Sequence, residues 1–505
     1  MNVVDFMTDL ESRAGTRPII HFRDREVTVG AFRTLVAEAA AQLDAAGVGM
    51  RDRVALLSYN RPEWLAIYCA CLARGATLVP LNPALSASEV AFILEDCTPA
   101  LVVVDDRNQS RVPQEMTCPI EVLDDPGNQS WHGVDTSQWP TVVDLDPTHP
   151  ALIHYTSGTT GHPKGAVLPH RGVAATLSRT TTWVGSTSDD SILINGSLAF
   201  IMHSTIAAMG HIAIGATVVL QERFHPAEAA RAIDRYGATV IMWVPTMYVM
   251  LCEFIESHPQ EEVGSLDSLR VCVSSAASLP WSLVERMRAA TGKTLHNAWG
   301  MTEGTPLTGF PPGSTPVPDS VGPPIGDSEI RILDASGSDV EVGDVGEIVF
   351  RSPSNMTEYY NRPEATKDTI IDGWVHSGDL GHRDAAGNIY ISGRIKDMII
   401  RGGANIYPAE IESVLAEHDT VAEAAVIGIP DERFGEIPVA YVVARGGEEP
   451  DNDVLRDFCA TRLASYKVPA WIAVVDDLPR GPTGKTLKRV LRHQTEAAQS
   501  ATPTT

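Results

Sequence analysis

Two hydrophobic patterns alternate along the first third of the chain. Apolar residues recur at helical spacing over residues 28–46 and 62–74, which predicts two helices. Short runs of consecutive apolar residues at 53–58, 77–80 and 100–104 predict buried strands. Strands that alternate with helices imply a mostly parallel sheet with covered faces, so this part of the chain predicts an α/β layer.

The same alternation returns between residues 192 and 291 and predicts a second layer. The predicted strands and helices, in chain order, cover 192–194, 217–220, 226–236 (helix), 239–244, 270–274 and 283–291 (helix). Two adjacent α/β layers are the most economical arrangement of these elements.

The residue composition and the hydrophobic pattern of the sequence change after Gly304. A stretch rich in Pro, Gly and Ser at 310–324 precedes short strand-like runs between residues 329 and 392, which predict a small β-rich subdomain. A charged break at Gly393–Asp397 separates this part from a compact α+β segment. The polar residues from His493 onward predict a frayed tail.

The predicted fold class is therefore α/β, with a large N-terminal domain of two α/β layers and a β-rich subdomain, followed by a small mobile α+β domain. The predicted boundaries are 1–392 for the first domain, 393–397 for a hinge and 398–505 for the C-terminal domain.

Length and composition support a soluble protein of more than one domain. Single cores stop growing near roughly 250–300 residues, and this chain has 505, of which 44% are hydrophobic. The formal net charge of −25 repels a phosphate backbone, so nucleic acid is not an expected partner. The seven cysteines include no C-x-x-C pair, and the sequence shows no signal peptide and no apolar stretch of membrane-spanning length. These features predict a cytoplasmic protein without integral membrane association. The oligomeric state stays open between monomer and homodimer.

The segment Tyr155–Val167 carries the densest chemical signal. Glycines let a backbone approach a ligand closely, and neighbouring hydroxyl and N–H groups can surround phosphate oxygens. A lysine adds a cation, but the spacing is not that of a Walker A loop because Lys164 precedes Gly165. The alternative is a flexible surface loop, which the closing Pro-Lys-Gly makes much less fitting. The candidate phosphate ligands are Thr156, Ser157, Gly158, Thr159, Thr160 and Lys164.

This segment resembles the phosphate-binding signature of the adenylate-forming superfamily, which includes acyl-CoA synthetases, firefly luciferases and nonribosomal adenylation domains. Further motifs follow in the family's order, and the resemblance extends from about residue 26 to residue 492. It implies that the chain uses ATP to convert a carboxylic acid into an acyl-adenylate.

Trp299-Gly-Met-Thr-Glu303 resembles the second signature of the family. The resemblance implies that Trp299 stacks on adenine, that Thr302 contacts the α-phosphate, and that Glu303 binds Mg²⁺, which prefers oxygen ligands. The loop 273–280 resembles the adenine loop, although a plain strand-to-helix turn remains an alternative. The further nucleotide contacts implied are Ser275, Ala276, Asn297, Ala298 and Gly300.

The last third of the chain carries three more motifs of the family. By resemblance, Asp379 accepts hydrogen bonds from the ribose hydroxyls, Arg394 makes a second ribose contact, and Lys396 is the hinge. Lys485, in Pro-Thr-Gly-Lys, corresponds to the catalytic lysine that bridges the acid carboxylate and the α-phosphate.

Two adjacent glycines, Gly402 and Gly403, resemble the stretch that approaches the pantetheine arm of coenzyme A. A simple turn before a helix is the alternative interpretation.

The acid is less well defined by the sequence. Family members often have a histidine where this chain has Phe200, and His203 lies three residues further on. Phe200 is either a gate of the acyl pocket or an ordinary core aromatic. Malonate-type ligases have an arginine where this chain has Ala298, so a monocarboxylic acid with an apolar or aromatic body is expected. The candidate pocket residues are Phe200, Ile201, Trp243 and Val244.

The leading hypothesis is an acyl-CoA synthetase that uses ATP, Mg²⁺ and coenzyme A. The first alternative is an adenylating enzyme that loads a carrier protein in trans. A luciferase-like monooxygenase and a non-catalytic nucleotide-binding protein are further alternatives, although the latter does not account for the presence of both Glu303 and Lys485.

Overall fold

The computed structural model describes residues 3, 5–123, 136–156, 163–445, 450–481 and 486–501. The chain forms two compact units. The first comprises residues 1–279, 283–329 and 350–375, and the second comprises residues 280–282, 330–349 and 376–505. The predicted hinge at 393–397 concerns motion rather than compactness, and it stays a prediction.

The strands in chain order are β1 Pro18–Phe22, β2 Arg25–Thr28, β3 Arg53–Leu57, β4 Thr77–Leu81, β5 Leu101–Val104, β6 Ile120–Val122, β7 Pro150–Thr156, β8 Lys164–Pro169, β9 Ser191–Ile194, β10 Thr217–Leu220, β11 Val240–Trp243, β12 Val271–Ser274, β13 Leu295–Met301, β14 Gly304–Gly309, β15 Ser320–Gly322, β16 Glu329–Leu333, β17 Gly346–Arg351, β18 Glu358–Tyr359, β19 Ile370–Ile371, β20 Trp374–Arg383, β21 Ile389–Arg394, β22 Ile399–Arg401, β23 Ala404–Ile406, β24 Val421–Asp431, β25 Gly435–Ala444 and β26 Ile472–Val475.

The α-helices are α1 Asp5–Ala14, α2 Val29–Ala45, α3 Pro62–Arg74, α4 Ala87–Cys97, α5 His170–Trp183, α6 Gly210–Ala213, α7 Pro226–Tyr236, α8 Pro245–Ser257, α9 Gln260–Val263, α10 Trp281–Thr291, α11 Pro363–Thr369, α12 Pro408–Ala416, α13 Asn452–Ala460 and α14 Lys488–Ala501. A π-helix spans Met202–Met209, and 3₁₀ turns span Asp106–Arg111 and Ile395–Asp397.

Two large sheets form the first unit. The eight-stranded sheet has the order β14-β13-β12-β11-β9-β10-β1-β2, in which the six central strands are parallel and the two edge strands antiparallel. The seven-stranded sheet has the order β18-β8-β7-β4-β3-β5-β6. Strands β7, β4, β3, β5 and β6 pair in parallel, and β8 pairs antiparallel with both β7 and β18. The predicted α/β class with two layers is confirmed.

Helix α3 shows why the two layers share one core. Residues 64–73 of this helix are almost completely buried on every side, as expected for a helix that is apolar all round. Its residues belong to the same hydrophobic cluster as residues from both sheets. Burial raises the pKa of the thiols of Cys69 and Cys71, so these cysteines are inert core residues, as the apolar sequence around them predicts.

The second unit is built from smaller sheets. Strands β16, β17, β20 and β21 lie side by side, and β20 and β21 are antiparallel. A further sheet has the order β23-β22-β25-β24, with β26 parallel to β25. The predicted frayed tail is wrong as far as Ala501, because α14 continues to that residue. Leu491 is buried and the hydroxyls of Tyr441 and Thr495 lie 2.6 Å apart, so one face of this helix is docked on the sheet.

Candidate active site

The carboxyl edge of the parallel strands in the eight-stranded sheet collects the predicted acyl residues and the predicted nucleotide residues of the segments 275–276 and 297–300. Strand β9 leads to Phe200 and Ile201, β11 ends at Trp243, β12 leads to Ser275, and β13 carries Asn297 to Gly300. Open parallel sheets bind ligands outside the carboxyl ends of their strands. The backbone N–H of Ser275 donates to the carbonyl of Trp243 at 3.2 Å, which joins two of these strand ends directly.

The predicted adenine loop leaves β12 in an unusual conformation. Ala276 has φ +71°, in the left-handed region that non-glycine residues seldom adopt, and is exposed. Asn297 is buried and its amide donates to the carbonyl of Ser320 at 3.2 Å. Asn297 thus holds the segment at Ser320. The contacts of Ala276 and Asn297 with adenine stay predictions.

The predicted acyl residues differ in exposure. Phe200, Ile201 and Val244 are half-buried, whereas Trp243 is fully buried and packs edge-on against Phe224 with ring centroids 5.4 Å apart. Trp243 therefore supports the strand end from within the core.

His203 lies on the π-helix and is buried. Burial lowers its pKa to about 4, so the ring is neutral at pH 7. A Cβ at Gly196 would come within 2.0 Å of Cε1 of this ring. His203 thus packs directly on the backbone that follows β9, and only a glycine at 196 leaves room for it.

Asn60 positions the same loop and was not predicted from the sequence. Its amide donates to the carbonyls of Gly196 at 2.8 Å and Gln221 at 2.9 Å, and its Oδ1 accepts from the N–H of Leu198 at 2.8 Å. The side chain is 2% exposed. Asn60 follows β3 of one sheet and therefore fixes the segment after β9 of the other.

The phosphate loop joins β7 to β8. The two strands are in antiparallel register, with Thr156 opposite Lys164, and the hydroxyl of Thr156 donates to the carbonyl of Lys164 at 3.4 Å. The predicted ligands Ser157, Gly158, Thr159 and Thr160 lie outside the described residues. The hairpin thus places both ends of the predicted loop side by side, and it stays a prediction that the loop binds phosphate.

Glu303 lies at the turn between β13 and β14. Met301 pairs with Gly304 in this hairpin, which leaves Thr302 and Glu303 at the bend. Thr302 is half-buried and Glu303 is 5% exposed. Trp299, also half-buried, meets the ring of Phe350 edge-on with centroids 6.1 Å apart.

Tyr359 connects the phosphate hairpin to the Glu303 turn. Its hydroxyl donates to Oε1 of Glu303 at 2.6 Å, and its ring centroid lies 5.1 Å from Nζ of Lys164. Its backbone is paired with Ala166 of β8. We call Lys164, Glu303 and Tyr359 the tyrosine–glutamate cluster. Three segments that are far apart in the sequence meet here, and Tyr359 is a member that sequence reasoning missed.

The second unit holds the predicted ribose residues in register. Asp379 of β20 lies opposite Arg394 of β21, and Nε of Arg394 is 2.7 Å from Oδ1 of Asp379. Asp379 is buried, and its N–H donates to Oγ of Ser377 at 2.9 Å. We call this pair the aspartate–arginine hairpin. The ion pair and the strand register orient the Asp379 carboxylate, and its predicted contact with ribose stays a prediction.

Lys396 lies on the 3₁₀ turn that follows this hairpin. Partial burial of the ammonium lowers the pKa of Lys396, and the neighbouring Asp397 carboxylate opposes this shift only in part. Asp397 pairs with Arg492 of α14 at 3.1 Å. The predicted hinge position is thus tied at its next residue to the last helix of the same unit.

Gly402 and Gly403 form the two-residue turn between β22 and β23. Arg401 pairs with Ala404, and the two glycines have φ +57° and +87°. Two left-handed residues in a two-residue hairpin turn account for both glycines. Their predicted role toward coenzyme A stays a prediction, and the predicted catalytic Lys485 lies outside the described residues.

The sequence gave little indication that Tyr359 belongs to the site, because the adjacent residues Tyr359 and Tyr360 are not part of an obvious motif. The alternation of Thr357 and Tyr359 hints only at a short strand. The position of Asn60, directly after an apolar strand, is a place where functional side chains often occur. Neither residue reveals its partner before the sheets are assembled.

Comparison with known proteins identifies the family of the chain. A family model of AMP-binding enzymes matches residues 9–360, and that of the AMP-binding enzyme C-terminal domain matches residues 410–485. The chain is 34% identical to the fatty acid–[acyl-carrier-protein] ligase ScoC of Streptomyces coeruleorubidus, with 94% of this chain and 93% of that protein covered. It is 35% identical to a feruloyl-CoA synthase of an Amycolatopsis species, with 91% and 92% covered.

Solved structures give the same result. ATP-bound MatB from Rhodopseudomonas palustris superposes with a TM-score of 0.91 at 29% identity, covering 99% of this chain and 100% of MatB. Within the described residues, no helix combines the length and the apolar character that crossing a membrane requires. Since both family models match and the first spans more than half of the chain, the protein belongs to the adenylate-forming AMP-binding enzymes, in their acyl-CoA synthetase branch.

Proposed function

We propose that this protein is an ATP-dependent acid–thiol ligase. It forms an acyl-adenylate from a monocarboxylic acid of fatty or aryl type, transfers the acyl group to coenzyme A, and releases AMP and pyrophosphate. Its cofactors are ATP, Mg²⁺ and coenzyme A, and its location is the cytoplasm.

The tyrosine–glutamate cluster is the observation that carries this proposal. A lysine at the end of the phosphate hairpin and a buried carboxylate at the end of β13 are linked by one tyrosine. Phosphoryl transfer requires positioning and charge neutralisation above all, and a cation beside a fixed carboxylate provides the means for both.

Four predicted site residues of the first unit have separate roles in the proposed adenylation reaction. Trp299 offers an aromatic face to adenine, and Thr302 offers a hydroxyl to the α-phosphate. Glu303 fits Mg²⁺ because it is a buried carboxylate whose one oxygen is anchored by a phenol, which orients the group for a hard cation. The ion would neutralise charge on the phosphates, and Lys164 adds a further cation on the phosphate side.

The second unit carries the other residues to which the proposal assigns a role. Asp379 and Arg394 hold the ribose. Lys485 bridges the attacking carboxylate and the α-phosphate, where negative charge grows as the new P–O bond forms. A fixed ammonium stabilises that transition state more than the ground state, so it accelerates the reaction.

The acid pocket favours an apolar or aromatic body. Phe200, Ile201 and Val244 are apolar and half-buried at the carboxyl edge of the sheet. Residue 298 is an alanine, so this position offers no guanidinium to a second carboxylate. Ala298 is buried and paired with Gly309. The similar protein named feruloyl-CoA synthase supports an acid of aryl type, and the one named fatty acid–[acyl-carrier-protein] ligase supports an acid of fatty type.

Coenzyme A is the thiol we favour, with Gly402 and Gly403 as the turn that the pantetheine arm approaches. A carrier protein loaded in trans is the second candidate, because the similar Streptomyces coeruleorubidus protein is named as an acyl-carrier-protein ligase. The two half-reactions use different residues of the C-terminal segment, and we propose a rotation about Lys396 between them. A Lys396→Pro variant that forms thioester as fast as wild type would show that this hinge is not used.

The decisive experiment is a panel of fatty, aryl and dicarboxylic acids assayed for pyrophosphate release, alone, with coenzyme A and with a phosphopantetheinylated carrier protein. We expect activity with a fatty or aryl acid and a thioester with free coenzyme A. Activity confined to dicarboxylates would overturn the acid class. Thioester formation only on the carrier protein would replace coenzyme A by the second candidate, and no pyrophosphate release with any acid would contradict ligation itself.

A further inference from the structure

Residues Met356–Tyr360 bridge two parts of the adenylation site in the first unit. On one side, the N–H of Thr357 donates to the carbonyl of Val167 at 2.9 Å, and the N–H of Tyr360 donates to that of Gly165 at 2.7 Å. These bonds fasten the segment to β8, directly after the phosphate loop.

On the other side, the same segment holds the Glu303 turn twice. The N–H of Met356 donates to the backbone carbonyl of Glu303 at 2.8 Å, and the Tyr359 hydroxyl donates to its carboxylate at 2.6 Å. Tyr359 and Glu303 are only 6% and 5% exposed, so water competes little for this bond. The backbone bond fixes the turn, and the phenol fixes the direction of the carboxylate.

We propose that Tyr359 is a positioning residue for adenylation, a role that rests on the proposed function. It orients the Glu303 carboxylate toward the metal–ATP complex and at the same time supports Lys164 with the face of its ring. A hydrogen bond to an ionised carboxylate is about twice as strong as a neutral one, and a cation over an aromatic face is attracted to it. Tyr359 thereby keeps the metal ligand and the phosphate-side lysine at a fixed separation.

The two contacts can be separated by substitution. Tyr359→Phe keeps the ring beneath Lys164 and removes the donor to Glu303. Tyr360→Phe is the matched control, since Tyr360 is the adjacent tyrosine and its side chain packs against a different hydrophobic cluster. Hydrogen-bonding partners of metal-binding carboxylates typically contribute roughly 10–100-fold to metal affinity.

The experiment measures Mn²⁺ binding by electron paramagnetic resonance in the presence of α,β-methylene-ATP, whose α–β link cannot be cleaved to form an acyl-adenylate. It also measures the Mg²⁺ dependence of pyrophosphate release with ATP. We expect Tyr359→Phe to weaken Mn²⁺ binding roughly 10–100-fold and to require more Mg²⁺ for half-maximal rate. The KM for the acid should stay unchanged, and Tyr360→Phe should resemble wild type. In a Glu303→Gln background, Tyr359→Phe should add no further loss of Mn²⁺ affinity.

Two outcomes would overturn the proposal. Wild-type Mn²⁺ affinity in Tyr359→Phe would exclude the positioning role, and so would an equal loss with and without the Glu303 carboxylate. These outcomes differ from failure of the proposed function, in which the wild-type protein itself would release no pyrophosphate with any acid.

Discussion

The tyrosine–glutamate cluster of the first unit and the aspartate–arginine hairpin of the second are built in opposite ways. The cluster joins residues 164, 303 and 359, and its central hydrogen bond is buried. The hairpin joins Asp379 and Arg394, which are neighbours across one pair of antiparallel strands. A site made of distant segments depends on the packing of the whole unit, whereas a hairpin depends on its own register.

This difference predicts how substitutions behave. A change in a residue that holds distant segments should alter stability, nucleotide binding and acid selection together. A change in a local motif of the second unit should alter one step and leave the others intact. The four predictions below, from the largest effect to the smallest, test this contrast.

The largest effect is expected for Lys485→Ala in the second unit. Loss of the cation that stabilises the transition state should slow adenylation roughly 10²–10³-fold without a large change in stability. Stopped-flow pyrophosphate release measures this step. Lys488→Ala is the control, since that lysine is ion-paired with Glu412 at 2.7 Å. An unaffected rate in Lys485→Ala would remove the residue from the mechanism.

Asn60→Ala in the first unit should act more broadly. It removes three buried hydrogen bonds to the backbone of Gly196 and Leu198, after β9, and of Gln221, after β10, at a cost of about 2–3 kcal/mol in the free energy of unfolding. We also expect a changed ranking of acids in the panel, because the segment after β9 loses its anchor. Asn108→Ala is the control, a buried asparagine bonded to Asp105 at 2.6 Å. It should lose stability but keep the ranking, and an unchanged ranking in Asn60→Ala would contradict the coupling.

Gly403→Ala tests the local character of the second unit. An alanine at φ +87° should cost about 1–2 kcal/mol in stability. Gly387→Ala is a close control, since Gly387 has φ +89° and, like Gly403, no atom within 4 Å of an added Cβ. If the 402–403 turn serves the thiol, only Gly403→Ala should slow transfer from preformed acyl-adenylate to coenzyme A. Equal transfer rates in both variants would show that the 402–403 turn has only a structural role.

The smallest effect concerns the opposite edge of the eight-stranded sheet. Asp190 accepts hydrogen bonds from Thr239 at 2.7 Å and from Arg270 at 2.9 Å, which joins the amino ends of three parallel strands. Burial alone raises the pKa of the Asp190 carboxyl, but these hydrogen bonds, that from Thr187 and the charge of Arg270 outweigh it and hold the pKa below its ordinary value.

The pKa of Asp190 is lower in the folded state than its value of about 3.9 in the unfolded state. The carboxylate therefore stabilises the fold above the unfolded-state pKa, and this contribution is lost as the pH falls through the folded-state pKa. The difference in stability between wild type and Asp190→Asn should therefore shrink below about pH 4, as measured by urea unfolding at several pH values. Asp189→Asn, at an exposed neighbour, should show little such change. A constant difference down to pH 2 would contradict this account.

Much of the fold could be predicted from the sequence because its signals are local. The apolar runs at β3, β4 and β5 and the helical spacing of α2 and α3 depend on residues a few positions apart. The frayed tail was the exception. Polar residues after His493 gave no sign that one face of α14 packs on the sheet, since its partner Tyr441 lies more than fifty residues earlier.

The candidate site shows the same difference between local signals and contacts between distant segments. The motifs, by their resemblance to a known family, predict Lys164, Glu303, Asp379 and Lys485 as parts of one adenylating site, and these roles stay predictions. The glycines at 402–403 fit the alternative of a simple turn, which the sequence left open and the structure shows. What the sequence by itself determined are these local patterns of neighbouring residues.

Only the tertiary structure decided which side chains hold these groups in place. Tyr359 reaches Glu303 because β18 pairs with β8, and Asn60 reaches the segment after β9 because the two sheets pack around a common core. It also decided that Trp243 and His203 are buried. Strand order and sheet packing arise from contacts between segments far apart in the chain, so no local pattern contains them.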